Sequence, residues 1–178
     1  EIMVGDWSSD VCSSDLDLGD GLIVGALVAT NPVGSVYMPD GKTFWAWPFE
    51  IAAEFGGRRP GTDMPAAHAP VPDQSRLAEI GRMQAGANTT LGVIALTADL
   101  TSAECKRIAV MAQDGFARAI RPVHTPMDGD VVFALSNGKV ALPEGPQRAM
   151  WLAQLGSAAA DCMARAIARS VFEAAAAN

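Results

Sequence analysis

At Asn88-Thr89-Thr90 an amide and two hydroxyls stand directly before the apolar run Leu91 to Leu96, where a loop becomes a strand. A hydroxyl there can act as a turn device, fill a sheet edge, or serve as a nucleophile, and the residue types alone leave all three open. Other reactive side chains are sparse. Cys12, Cys105 and Cys162 are scattered without a CxxC pair, which suggests neither a disulfide framework nor a zinc site. Cys105 and Cys162 fall in expected helices, where a small buried thiol is the ordinary reading. His68 and His124 share no metal-ligand spacing, and a Ser-His-Asp arrangement would have to run through His124. The stretch His124-Thr-Pro-Met-Asp-Gly-Asp130 reads first as a Pro-Asx turn with His124 as a turn residue. Phe44, Trp45, Trp47 and Phe49 either pack as core and edge cover or line a substrate cleft. No metal or organic cofactor is expected.

Bulk composition limits what such a hydroxyl belongs to. With 49% hydrophobic and 19% charged residues over 178 positions, the chain suits one globular domain with a real core. A formal net charge of -7 argues against nucleic acid and against an anionic membrane surface, both of which need clustered Lys and Arg. The longest apolar run, Gly21 to Ala29, is too short to span a bilayer and reads as a buried strand.

The elements that must position these groups alternate between strand and helix. After Gly21–Ala29, the dipeptide Asp40-Gly41 predicts a tight hairpin between two short strands. Residues 56–73 are dense in Gly and Pro, which predicts an exposed, mobile loop. Ser75 to Ala85 suits a short helical turn. Thr89 to Thr97 is β-rich, and Thr101-Ser-Ala-Glu104 forms a capping box that starts a helix with Ile108, Met111, Ala112, Phe116 and Ile120 inward. Pro122 and Pro126 end it, Val131 to Leu135 is a strand, and Asn137-Gly138 is expected to turn the chain. An Ala-rich helix from about Pro146 to Ala176 closes the order. Strands before helices, with two long helices to cover sheet faces, predict a layered α/β sandwich.

Residues 4–16, Val-Gly-Asp-Trp-Ser-Ser-Asp-Val-Cys-Ser-Ser-Asp-Leu, match one reading frame of a common sequencing adapter and lack the basic start and apolar core of a signal peptide. Residues 1–16 are therefore expected to stand outside the fold, with the domain running over 17–178 and an upstream portion of the natural protein missing. A cytoplasmic location is favoured, although a signal would sit in that upstream portion.

Asn88 to Leu135, with its Asn-Thr-Thr, capped helix and Thr-Pro-x-Asp-Gly-Asp segment in order, resembles the C-terminal subunit of the DmpA-type L-aminopeptidase/D-esterases, including the β-peptidyl aminopeptidases. Gly21 to Gly34 resembles the strand that this family places before its cleavage site. The resemblance implies an αββα architecture shared with ornithine acetyltransferases, here incomplete at its N-terminus. It also implies self-cleavage at Asn88-Thr89, dividing the domain into 17–88 and 89–178 parts, and a homo-oligomeric assembly.

By that resemblance Thr89 is the nucleophile of both self-cleavage and turnover. Once N-terminal, its own α-amine, with a pKa of about 7.7–8.0, supplies a local base near neutrality. Asn31 matches an oxyanion donor, while Pro32 departs from the residue relatives often carry. Thr125 is assigned the orienting hydroxyl and Asp128 the acid, with Asp130 as the alternative. The implied substrate is a peptide, amide or ester next to a free amine, hydrolysed without cofactor. The competing readings are an unprocessed binding or structural homologue and an acyltransferase of the ornithine acetyltransferase kind.

Overall fold

The computed structural model describes residues 11–62, 71–73, 75–77 and 88–177. Its centre is a four-stranded mixed sheet in the order β1-β2-β3-β4, made by β1 (Val11–Asp17), β2 (Ile23–Ala29), β3 (Leu91–Ala98) and β4 (Val131–Val140). β1, β2 and β3 pair antiparallel, and β3 pairs with β4 in parallel, with Leu91 opposite Val131. The parallel pair requires a crossover, supplied by α1 (Ser102–Ala112) and α2 (Asp114–Ala119). α3 (Pro146–Ala177) then returns across the sheet, so the parts before and after Thr89 share one sheet and one core.

Alternation along the strands decides which face meets the helices. Val24, Ala26 and Val28 of β2 and Ile94, Leu96 and Ala98 of β3 are buried with Leu155, Ala159, Cys162, Met163 and Ile167 of α3. Each large apolar side chain removed from water there contributes roughly 1.5–3 kcal/mol. Small residues let the helices approach closely: a Cβ on Gly115 of α2 would lie 2.4 Å from the Ala160 carbonyl oxygen of α3. Cys162 is among these buried residues and burial pushes its thiol up to about 12, while Cys105 is half-buried in α1. Both thiols lie in helices, as expected.

The opposite sheet face is apolar and open. Ile23, Leu27, Leu91, Phe133 and Leu135 are all exposed there, Phe133 by 60%. The described residues thus form one helical layer and one β layer of an α/β protein. No helix among them is long and apolar enough to cross a membrane.

Several expectations are corrected. Residues 11–16 were set outside the fold, yet they make up most of β1, paired in unbroken register with β2. An unpaired strand edge accepts any extended, proline-free segment, whatever its origin. Arg165 and Arg169 of α3 fasten that strand by donating to the carbonyl oxygens of Asp15 and Ser13 at 2.8 and 2.6 Å. Asn137-Gly138 does not reverse the chain. Gly138 takes φ 68°, but the strand continues to Val140 and the excursion is absorbed as a bulge in β4, whose Ser136 to Val140 lie opposite Leu96 to Ala98 of β3. The hairpin at Asp40-Gly41 shrinks to one bridge, Tyr37 with Phe44, because the Asp40 carboxylate takes the Thr43 amide and hydroxyl and folds the tip on itself. The helix from Thr101 to Ile120 is broken at Gln113 into α1 and α2. Residues 56–62 carry no regular element, and most of the expected loop and helical turn over 63–87 lies outside the described residues.

The capping box forms as read, with the Glu104 carboxylate accepting the Thr101 amide at 2.8 Å and also binding Arg148 of α3 at 2.5 Å. Hydrogen bonding from Arg148, then from the Thr101 backbone, pulls the Glu104 carboxyl down to about 2. Because the folded value lies below the unfolded one, this contribution is present above the ordinary carboxylate range and is lost as pH falls toward about 2. Urea titrations at successively lower pH should show wild type losing stability more steeply across that window than Glu104→Gln, which starts lower; parallel curves would disprove the linkage.

Candidate active site

The two parts of the chain meet just before β3 and β4 begin. Asn88 bridges Asp128 in parallel, extending the β3–β4 pairing backwards past the strand starts. The Gly129 amide donates to the Asn88 carbonyl oxygen at 2.9 Å, and the Val131 amide donates to the Thr90 carbonyl oxygen at 3.2 Å. Between these two bonds lies Thr89, half-buried, with Asn88 and Thr90 buried on either side. A Cβ on Gly129 would come within 2.6 Å of the Thr89 Oγ1. The missing side chain at Gly129 is therefore what leaves space for that hydroxyl.

Two carboxylates frame the junction and do different work. Asp130 accepts the Thr90 amide on Oδ1 at 3.0 Å and meets His124 Nδ1 with Oδ2 at 2.9 Å. Its side chain is 4% exposed, and burial pushes its carboxyl above the ordinary range against the opposing pull of the Thr90 amide. Asp128 is a knot between loops. Its Oδ1 accepts the Val33 amide at 3.0 Å, and its Oδ2 accepts the Thr125 amide and hydroxyl at 2.9 and 2.7 Å.

Asn31 reaches the same place from the end of β2. Its backbone amide donates to Thr90 Oγ1 at 3.3 Å. Its side-chain oxygen accepts from Arg76 Nη1 at 2.7 Å, and the same nitrogen donates to Asn88 Oδ1 at 3.2 Å. The structure thus gathers Asn31, Asn88, Thr125, Asp128 and Asp130, which are separated by as many as 99 positions in sequence, into one hydrogen-bonded cluster, with Thr89 placed against Gly129 in its midst.

Two neighbours of this cluster, Arg76 and Gly129, were not singled out by sequence. Arg76 belongs to the segment expected as a short helical turn, where nothing local marks it as a partner of the asparagines. Gly129 was legible only as turn punctuation, because its contact with Thr89 is set by strand pairing 40 residues away. His124 does occupy a turn, at φ 53°, and its ring in addition pairs with Asp130 and lies 5.6 Å from Phe116. The aromatic run lies apart from this set. Phe44 is core, packed against Tyr37 and Phe55, while Trp45, Trp47 and Phe49 are covered by Arg121, Arg59 and Arg118. Trp45 borders an open cleft of about 360 Å³ with Arg118, Ile120 and Arg121, and none of the clustered residues lines it. Among the described residues no three His, Cys, Asp or Glu side chains converge as metal ligands would.

Known proteins resemble this chain over nearly its whole length. An uncharacterized aminopeptidase of Mycobacterium bovis is 39% identical over 178 residues, covering 96% of this chain and 49% of that protein. A 6-aminohexanoate-oligomer endohydrolase of Agromyces is 32% identical over 130 residues, covering 72% of this chain and 33% of its own length. The solved L-aminopeptidase D-Ala-esterase/amidase of Ochrobactrum anthropi, described as a variant of the Ntn hydrolase fold, superposes with a TM-score of 0.52 at 18% identity, covering 92% of this chain and 40% of that one. That last likeness is one of fold. The chain spans about half the length of the curated relatives it matches most fully. The sequence pattern of peptidase family S58 covers residues 7–178, and with it the whole cluster around Thr89, so this chain belongs to peptidase family S58.

Proposed function

We propose that this chain is part of a self-processing amide hydrolase in which scission of Asn88-Thr89 creates an N-terminal threonine nucleophile. The observation that carries this reading is the double contact of Gly129. Its amide already donates to the Asn88 carbonyl oxygen, and its bare Cα faces the Thr89 hydroxyl. A donor on the carbonyl that must become tetrahedral, with the attacking oxygen beside it, is an oxyanion-hole arrangement formed before reaction.

In the first step the Thr89 Oγ adds to the Asn88 carbonyl carbon. The C–N bond breaks, and the proton of the hydroxyl passes to the leaving amine, giving an ester between Asn88 and Thr89. Water then cleaves that ester, leaving a carboxylate on Asn88 and a free α-amine and hydroxyl on Thr89. In turnover the amine takes the proton from the hydroxyl as it attacks a substrate carbonyl, and Asn31 contributes a side-chain amide donor.

The acids divide the remaining labour. Asp130 fixes the nucleophile strand by holding the Thr90 amide, and its raised carboxyl suits exchange of a proton with the new amine nearby. Thr125 and Asp128 hold the loop that carries Gly129 and tie it to Val33, two residues beyond Asn31. The substrate class is an amide, peptide or ester carbonyl. Relatives named as aminopeptidases and as an oligomer endohydrolase have amide-bond hydrolysis in common.

Two measurements follow. Mass spectrometry of the full-length protein that carries this chain should find fragments divided before Thr89, with Thr89→Ala remaining a single polypeptide. A wild type that stays whole through long incubation and leaves aminoacyl amides intact would reject the proposal. Gly129→Ala retains the amide donor but drives its methyl into the Thr89 hydroxyl, and a displacement of that order should slow scission by about a hundredfold with the fold preserved. Normal scission in Gly129→Ala would show that the contact is incidental.

A further inference from the structure

Arg76 touches both asparagines of the cluster. Its Nη1 lies 2.7 Å from Asn31 Oδ1 and 3.2 Å from Asn88 Oδ1, and its backbone amide donates to the Val33 carbonyl oxygen at 2.9 Å. Arg76 is therefore fastened to the Asn31–Val33 stretch by main chain and side chain together. A guanidinium nitrogen donates and never accepts, so both asparagines must present oxygen to it. That requirement settles which way each amide is turned: with Oδ1 committed to Arg76, the Nδ2 of Asn31 lies at the opposite edge of its amide.

We propose that Arg76 is a positioning residue for the reaction, holding Asn31 with its side-chain oxygen turned away so that the amide offers donors, not an acceptor, to the developing oxyanion. The inference rests on the reading of Thr89 and Asn31 given under Proposed function. An asparagine is a poor oxyanion donor unless something selects its orientation, because rotation by half a turn about the last side-chain bond exchanges a donor for an oxygen that repels the charge. Arg76 makes that rotation costly. Its second contact, to Asn88, places the residue on the acyl side of the scissile bond in the same grip, so self-scission and turnover should both depend on it. Exposure of Arg76 means that its loss leaves no cavity and no buried charge.

The test is a double-mutant cycle in the full-length protein that carries this chain, reading scission rate, kcat and KM on an aminoacyl amide, and thermal midpoint for Arg76→Ala, Asn31→Ala and the pair. A misoriented oxyanion donor predicts a loss in kcat of about tenfold to a hundredfold for Arg76→Ala with KM nearly unchanged, and little further loss when it is added to Asn31→Ala. Arg76→Gln, which can turn its own oxygen toward Asn31 and so permits the wrong rotamer, should show the same kcat deficit even if Arg76→Ala misfolds. Multiplicative losses in the pair, or wild-type kcat in the single variants, would overturn the clamp while the proposed reaction stands. A wild type that neither splits nor hydrolyses would remove the reaction itself, and the clamp with it.

Discussion

The parallel pairing that runs back from β3 and β4 to Asn88 and Asp128 is the constraint on which the site depends. Strand pairing ordinarily holds a core, but here its last rungs lie outside the strands and hold the groups to which the proposed reaction assigns chemistry. The bond from Gly129 to Asn88 fixes the carbonyl, the bond from Val131 to Thr90 fixes the following residue, and Thr89 is left between them with its hydroxyl against the glycine. Backbone pairing is repetitive and stiff, so it sets these atoms within a few tenths of an ångström without a dedicated side chain for each. The β2 end is then drawn in by Asp128 through Val33 and by Thr90 through Asn31.

Local signals were legible and long-range ones were not. The capping box at Thr101 and Glu104 is a contact between residues three apart, so the sequence carries both partners in one glance, and it forms as read. Asn137-Gly138 also takes the conformation its residue types favour, with Gly138 at positive φ. What it does there depends on the neighbouring strand, which stays paired beyond it, and a dipeptide cannot announce its partner. β1 is the extreme case: Cys12-Ser-Ser-Asp-Leu16 has little strand character of its own, and the open edge of β2 supplies the pairing. Arg76 was invisible for the same reason, since its partners lie 45 residues upstream and 12 downstream. The motif residues were recognisable only through a family resemblance that spans them all.

The sheet has two faces with different status. One is closed by α3 and the crossover helices. The other shows Leu27, Val93 and Phe133 in one cross-strand row and Leu135 in the next, so its exposed apolar residues are neighbours and not scattered singles. Contiguous apolar surface of that kind has the pattern of a sheet packed on both sides. The solved Ntn hydrolase fold that this chain matches over 92% of its own length continues well beyond the match, in keeping with a chain that spans only part of its relatives. The layer present here already contains the entire cluster around Thr89. The chemistry is positioned by the sheet's own edges, and the open face bears on how the sheet is covered.

Two acids two residues apart need not share a role, because each is claimed by different partners. Asp128 spends its oxygens on the Val33 amide and on the amide and hydroxyl of Thr125, three donors that fix it in place. Asp130 has the Thr90 amide and His124, yet its burial outweighs them and its carboxyl is raised. A carboxylate with saturated oxygens is suited to hold structure, whereas one that is strained toward protonation is suited to exchange a proton. On that ground Asp130, the acid that the family resemblance ranked second, is the better placed to serve the amine that the proposed scission would give Thr89, and Asp128 the better placed to keep Gly129 against the Thr89 hydroxyl.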